Sequence, residues 1–274
     1  MVSLQQVIDF LREIAPPDLA ESWDNVGLLV GDPTDKVASV LTCLTLTQNV
    51  AEEAIARQVQ LIVTHHPVLF RPVQRLTTET DEGRLLLSLI RAGIAVYSPH
   101  TSYDSAAAGI NQQWSLSFDL RDVRPLRPRH VESLSAEDAG EILNQSTGSG
   151  RWGKLPRAIS LRELIDQAKS LLGVAQLQYV GDLGRTVTKL AIACGSAAEF
   201  LPDAARCGCE AFLTGEARFH ACLEAETANV AMILPGHYAT ERPAMLNLAQ
   251  TLKSRFTELA AQASDSECDP VKFG

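Results

Sequence analysis

Leu61-Ile-Val-Thr-His65-His66-Pro67 reads as a short apolar strand whose run is ended by a proline, which removes a ladder donor. Because successive positions are apolar rather than alternating, it fits a strand covered on both faces, as in a parallel sheet. Working outward, residues 48–58 and 82–92 carry helical spacing, and the runs 26–30, 37–44 and 94–97 read as further strands. Ser3 opens an amphipathic helix with Leu4, Val7, Ile8, Leu11 and Ile14 on one face, closed by Pro16 and Pro17. Strand and helix in alternation predict an α/β fold with parallel or mixed sheets and crossover helices.

Residues 119–151 break the pattern with an arginine- and proline-rich run at 121–130, read as a solvated loop, and a Gly/Ser stretch at 146–150. Alternation then resumes, with helices over 161–172, 197–206, 217–227 and 241–259 and strands over 177–180, 188–193, 211–214 and 230–234. Setting Thr64 against Thr214 without gaps superimposes strand on strand and helix on helix, and His100-Thr-Ser-Tyr-Asp104 matches His237-Tyr-Ala-Thr-Glu241 after one gap. The expectation is two similar α/β lobes, an internal duplication with mixed sheets flanked by helices and a metal site in the cleft between them. The first lobe takes residues 1–125, completed by the C-terminal helix 241–262, and the second takes 126–240.

The whole chain of 274 residues is 46% hydrophobic and 21% charged, a globular profile with a sizeable core. No apolar run approaches the ~18 residues of a membrane span, and the N-terminus lacks a basic leader with a cleavage site, so a cytoplasmic location is expected. The six cysteines form no CxxC pair and read as small buried hydrophobes. A formal charge of −9 argues against nucleic acid, whose phosphates need a basic face.

Four of the six histidines, His65, His66, His100 and His237, fall just past predicted strand ends, where ligands collect in open α/β sheets. Each has an ordinary alternative. His65 and His66 could be one core and one surface imidazole, Asp104 an N-cap of a helix from Ser105, and Glu241 an acid placed for the helix dipole. In the last case Thr240 is the N-cap and His237 lies in the preceding loop. Taken together, up to four imidazoles and two carboxylates make a mixed N/O set suited to Zn²⁺, Fe²⁺ or Mn²⁺ rather than Ca²⁺. Such a set exceeds one tetrahedral ion and suits two ions roughly 3.5–4 Å apart. The 148–154 glycine run lacks a leading strand and a Gly-Lys-Ser/Thr, so it reads as a turn. Trp23-Asp24-Asn25 reads as an Asx-type turn beneath a packed indole; His220 is expected in the core or beside the site, and His130 in solvent.

Glu21-Ser-Trp-Asp-Asn-Val-Gly-Leu28, Thr64-His-His-Pro-Val-Leu-Phe70, His100-Thr-Ser-Tyr-Asp104, Gly150-Arg-Trp-Gly153, Ala193-Cys-Gly-Ser196, Thr214-Gly-Glu216 and Gly236-His-Tyr-Ala-Thr-Glu241 together resemble the motifs of the Nif-three-like proteins, the GTP cyclohydrolase 1 type 2 homologues. The resemblance runs from about residue 3 to residue 255 and is to the short form, without the inserted domain of longer relatives. It implies two divalent ions per chain on His65, His66, Asp104, His237 and Glu241, with His100 beside them orienting Asp104 or a water, and a homo-oligomeric, commonly hexameric, ring. At Thr45 and Glu216 many relatives carry aspartate, so the role of those carboxylates is not carried over.

The function this implies is hydrolysis of a small molecule, nucleotide-like in the family's naming, by a metal-activated water. The alternative is a non-catalytic metal-binding or chaperone-like ring protein, whose ions would be fully coordinated by protein rather than left with an open position. A regulatory nucleotide-binding module would need a sealed phosphate site, for which only the 148–153 stretch speaks.

Overall fold

The computed structural model describes residues 1–129 and 147–272, so the expectation for His130 and much of the 119–151 break lies outside the described residues. The chain forms two compact units, residues 1–103 with 242–270, and residues 104–241 with the C-terminal end. Residues 104–125, counted with the first lobe above, fall in the second unit. The sheets are mixed and helix-flanked, an α/β fold as expected.

In the first unit a five-stranded sheet runs in the order Ala260–Ala263, Ser39–Cys43, Leu61–Thr64, Ala95–Ser98 and Gly27–Val30, all parallel but for Gly27–Val30. Leu61–Thr64 at the centre is buried throughout, which explains its unbroken apolar run. The first helix, Leu4–Ile14, starts at a capping box in which Ser3 and Gln6 satisfy each other's backbone N–H, and it buries Leu4, Val7, Ile8 and Leu11. Thr47 and Thr80 cap helices Gln48–Ala56 and Asp81–Ala92 on the other flank. Their apolar faces join Leu41, Ile62 and Val96 in one core cluster.

The C-terminal strand is held to this unit by side chains as well as by its ladder. Glu53, on helix Gln48–Ala56, accepts from the Ser264 hydroxyl and from the backbone N–H groups of Asp265 and Ser266, at 3.0 Å each. Burial alone would raise the Glu53 pKa, but these donors outweigh it and hold the carboxyl below its ordinary 4.5. A depressed folded pKa stabilises the fold above the unfolded value, and that contribution fades as pH falls through the folded pKa. Glu53→Gln is therefore expected to lose about 2 kcal/mol at pH 7. In urea unfolding the gap from wild type should close as the medium is made acidic past the ordinary carboxyl value of 4.5, and a gap that widens in acid would contradict the assignment.

The second unit is built on a six-stranded sheet in the order Gln178–Val180, Ala231–Leu234, Ala211–Thr214, Thr186–Ala193, Arg151–Ser160 and Arg121–Arg124. The three strands Thr186–Ala193, Ala211–Thr214 and Ala231–Leu234 are parallel and the others antiparallel. A second capping box, Ser160 with Glu163, starts helix Leu161–Leu172, which ends at Gly173. The 121–130 run is not simply a loop: Arg121–Arg124 is an edge strand and Arg127–Pro128 pairs with Gly148–Ser149. Likewise the glycine run read as a turn opens the ten-residue strand Arg151–Ser160. For Arg121–Arg124 composition misled because an exposed edge strand tolerates arginine and neighbouring proline.

Candidate metal centre

In the first unit the donors are set by strand ends. Just past the end of Leu61–Thr64, His65 N–H donates to the Cys43 carbonyl and His66 N–H to the Leu44 carbonyl, both at 2.9 Å. The buried Ser98 hydroxyl, at the end of the next strand, donates to the His65 carbonyl at 2.7 Å. With its backbone tied on both sides, His65 is fully buried, while His66 and His100 are partly exposed. His65, His66 and His100 each offer a ring nitrogen within 4.8 Å of the others. The rings lie 5.2–5.7 Å apart between centroids. Adjacent residues of a regular strand point to opposite faces; these two converge because the strand has ended.

His100 begins the short helix His100–Ser105 with a backbone φ of 28°. Its Nδ1 lies 2.7 Å from the buried carboxylate of Asp24. Asp24 also accepts from the Thr101 N–H at 3.1 Å and from the Thr101 hydroxyl. Burial would raise its pKa; the bonds to His100 and Thr101 reverse that and lower it. Asp24 is thus the anchor of His100, and the Asx turn read from the sequence is the lesser part of its role. The indole next to it is not packed inside: Trp23 is 59% exposed and meets Phe70 edge to face at 5.9 Å between ring centroids.

In the second unit glycines follow the ends of the three parallel strands, Gly195, Gly215 and Gly236. Helix His237–Arg255 starts four residues earlier than the sequence suggested, so His237 and Glu241 share one helix face rather than a loop and a helix start. Thr240 is not the N-cap; its hydroxyl donates to the His237 carbonyl at 2.8 Å and accepts the Gly195 N–H at 3.0 Å. Pro243 lies inside this helix, beyond its first turn, where it cannot donate to the carbonyl of Ala239.

His237 Nε2 lies 2.9 Å from Glu241 Oε2, and its Nδ1 lies 3.2 Å from Glu216 Oε1. Burial opposes a charge on this ring, but Glu241 and then Glu216 overcome it and raise the His237 pKa to about 9. Asp104 belongs to the same unit, where buried Asn111 ties its carbonyl, at 3.1 Å, to the Cys194 N–H, at 2.9 Å. The Cys194 thiol is pushed well above its ordinary pKa by burial and then by the Glu241 and Asp104 charges. A nucleophilic role for it is thereby disfavoured.

Whether these residues fit a metal ion can be tested on Gly195. A Cβ built there would lie 2.0 Å from Glu241 Oε1 and 3.3 Å from His237 Nε2. The backbone has been cleared of side chain where an imidazole nitrogen and a buried carboxylate oxygen meet. In the first unit the gathered imidazole donors are the borderline ligands of Zn²⁺, Fe²⁺ and Mn²⁺. Both sets fit a divalent ion. His220, expected near the core or the site, is exposed on helix Phe219–Thr227 and takes no part. Asn111, Gly195 and Glu267 went unremarked or unassigned in the sequence; a glycine directly after a strand-ending Ala-Cys was the one available signal.

Comparison with known proteins places the chain. Residues 2–270 match the family model Duf34/NIF3 (NGG1p interacting factor 3). A GTP cyclohydrolase 1 type 2 homolog of Clostridium perfringens is 32% identical over 273 residues, covering 99% of this chain and 100% of that protein. The Protein NIF3 homolog of Schizosaccharomyces pombe is 33% identical, covering 95% of this chain and 94% of its own. Among solved structures, a Bacillus cereus protein related to NIF3 has the same fold, with a TM-score of 0.88 at 19% identity over 100% of this chain and 99% of that one. The chain belongs to the DUF34/NIF3 family.

Proposed function

We propose that this protein is a metal-dependent hydrolase carrying two divalent ions, Zn²⁺, Fe²⁺ or Mn²⁺, on His65 and His66 of the first unit and Asp104, His237 and Glu241 of the second. The observation that carries the reading is the backbone cleared at Gly195 before the His237–Glu241 pair. Bound ions would supply Lewis acidity and lower the pKa of a water molecule toward neutrality. His100, held by Asp24 through Nδ1, keeps Nε2 for a proton or a hydrogen bond to substrate. The exposed rings of Trp23 and Phe70 beside it suit a planar substrate group, and nucleotides are one class that meets this. Glu216 sets the orientation of His237 through Nδ1, the part a carboxylate takes beside a ligating histidine.

The two units are further proposed to descend from one duplicated lobe. In support, each carries a capping-box helix, then an edge strand antiparallel to the last of three parallel strands. Gly31 and Gly181 both turn at positive φ against an alanine, Ala95 and Ala231 respectively, on that last strand. Assembly into a homo-oligomeric, hexameric ring is carried from the family resemblance; among the described residues no helix is long and apolar enough to cross a membrane.

Elemental analysis after reloading with Zn²⁺, Mn²⁺ or Fe²⁺ tests the centre. About two ions per chain are expected in the wild type, and about one fewer in His65→Ala and in Glu241→Ala. Fewer than about one ion per chain in the reloaded wild type would overturn the reading. A screen of nucleotides and cyclic amides with the loaded protein then reads hydrolysis, and mass photometry reads the ring.

A further inference from the structure

The C-terminal segment reaches a candidate ligand through two short links. The Glu267 carboxylate, 4% exposed, accepts the Thr45 N–H on Oε1 at 2.6 Å and the Leu44 N–H on Oε2 at 2.9 Å. Arg242 Nε lies 2.7 Å from the same Oε2, and Arg242 Nη2 donates to the Ser264 carbonyl at 2.8 Å. The turn Leu44–Thr45 follows strand Ser39–Cys43, and two consecutive amides left there at the end of a ladder are closed by one carboxylate. That turn grips His66 twice. The Leu44 carbonyl accepts the His66 N–H at 2.9 Å, and Thr45 Oγ1 lies 2.8 Å from His66 Nδ1.

We propose that Glu267 is a positioning residue for His66: by clamping the Leu44–Thr45 turn it holds the Thr45 hydroxyl against Nδ1, and so fixes the orientation and the tautomer of the ring. The inference rests on the reading of His66 as a ligand for its consequence, but not for its geometry. A hydroxyl can donate to Nδ1 or accept from it, unlike a carboxylate, which only accepts. Thr45 is therefore effective as an orienting partner only while its own backbone is held, and Glu267 holds it. The last strand and its following turn thus do more than complete the sheet.

The test uses histidine-labelled full-length protein in Glu267→Gln, Thr45→Val and the double variant, with Glu267→Asp as the conservative rescue. Asp265→Asn, which alters an 81% exposed carboxylate of the same segment, is the control. Long-range ¹H–¹⁵N spectra without metal read the His66 tautomer, and titration with Co²⁺ or Zn²⁺ reads affinity.

A single His66 tautomer is expected in the wild type and in Asp265→Asn, and a mixture in the Gln and Val variants. Ion affinity should fall about 10-fold in each. The double variant should lose no more than the larger of the two single losses, because the two residues act in series. Glu267→Asp should recover the wild-type tautomer in part. An unchanged His66 spectrum in Glu267→Gln overturns the proposal. If the tautomer shifts but the wild type takes up no ion, the positioning stands and the metal-ligand reading fails.

Discussion

Gly195→Ala is expected to cost about 100-fold in divalent-ion affinity while leaving the protein folded. The added Cβ would sit 2.0 Å from Glu241 Oε1, and Glu241 is buried, so it has no solvent to retreat into. Some of the damage is backbone strain: Gly195 has a φ of 72°, which costs an L-residue roughly 1–2 kcal/mol. Gly173 separates the two effects, since it has a φ of 67° and nothing within 4 Å of its added Cβ. Gly173→Ala should carry the strain alone, lowering the melting temperature by a few degrees with ion affinity intact. Calorimetric titration of both variants decides it. Equal affinities would show that the space before Glu241 is not reserved for an ion.

The second large effect is expected at Arg151, whose guanidinium is fully buried. Nη1 donates to the carbonyls of Gly148 at 2.6 Å and Gly150 at 2.7 Å, Nη2 to those of Ala106 at 2.7 Å and Ser105 at 3.4 Å, and Nε to Gln112 Oε1 at 2.9 Å. Burial pushes its pKa down to about 10. Removing the donors leaves several buried carbonyls without them, each worth roughly 1–3 kcal/mol, partly offset by no longer burying a charge. Arg151→Met should therefore lose about 3–5 kcal/mol in denaturant unfolding. At roughly 2–4 °C per kcal/mol, the melting temperature should fall by about 10 °C. Arg151→Lys, with three donors in place of five, should lose about half as much. A Met variant within 1 kcal/mol of wild type would mean that water replaces the guanidinium. Because Ser105 and Ala106 end the segment bearing Asp104, the Met variant should also weaken whatever Asp104 holds.

Much of this was legible beforehand, and for identifiable reasons. Leu61–Thr64, Ala211–Thr214 and Leu161–Leu172 have the bounds read from the sequence, because full burial and helical periodicity leave direct marks on residue type. The long C-terminal helix was displaced by four residues because Thr240 and Pro243 imitate a helix start. Thr240 spends its hydroxyl on Gly195, a residue 45 positions away, and no local pattern records that. Trp23 was expected inside and lies outside, since apolar size predicts burial in one direction only.

The chain alone determined the alternation of strands and helices, the placing of histidines at strand ends and the membership of a family, all of which depend on neighbours in sequence. The tertiary structure decided which partners His66, His100 and His237 take. Asp24 meets His100 across 76 positions, and Glu267 meets Thr45 across 222. The reason is physical: a side chain's periodic environment is written into its own segment, whereas the carboxylate that fixes an imidazole arrives from another segment brought there by burial of an apolar core.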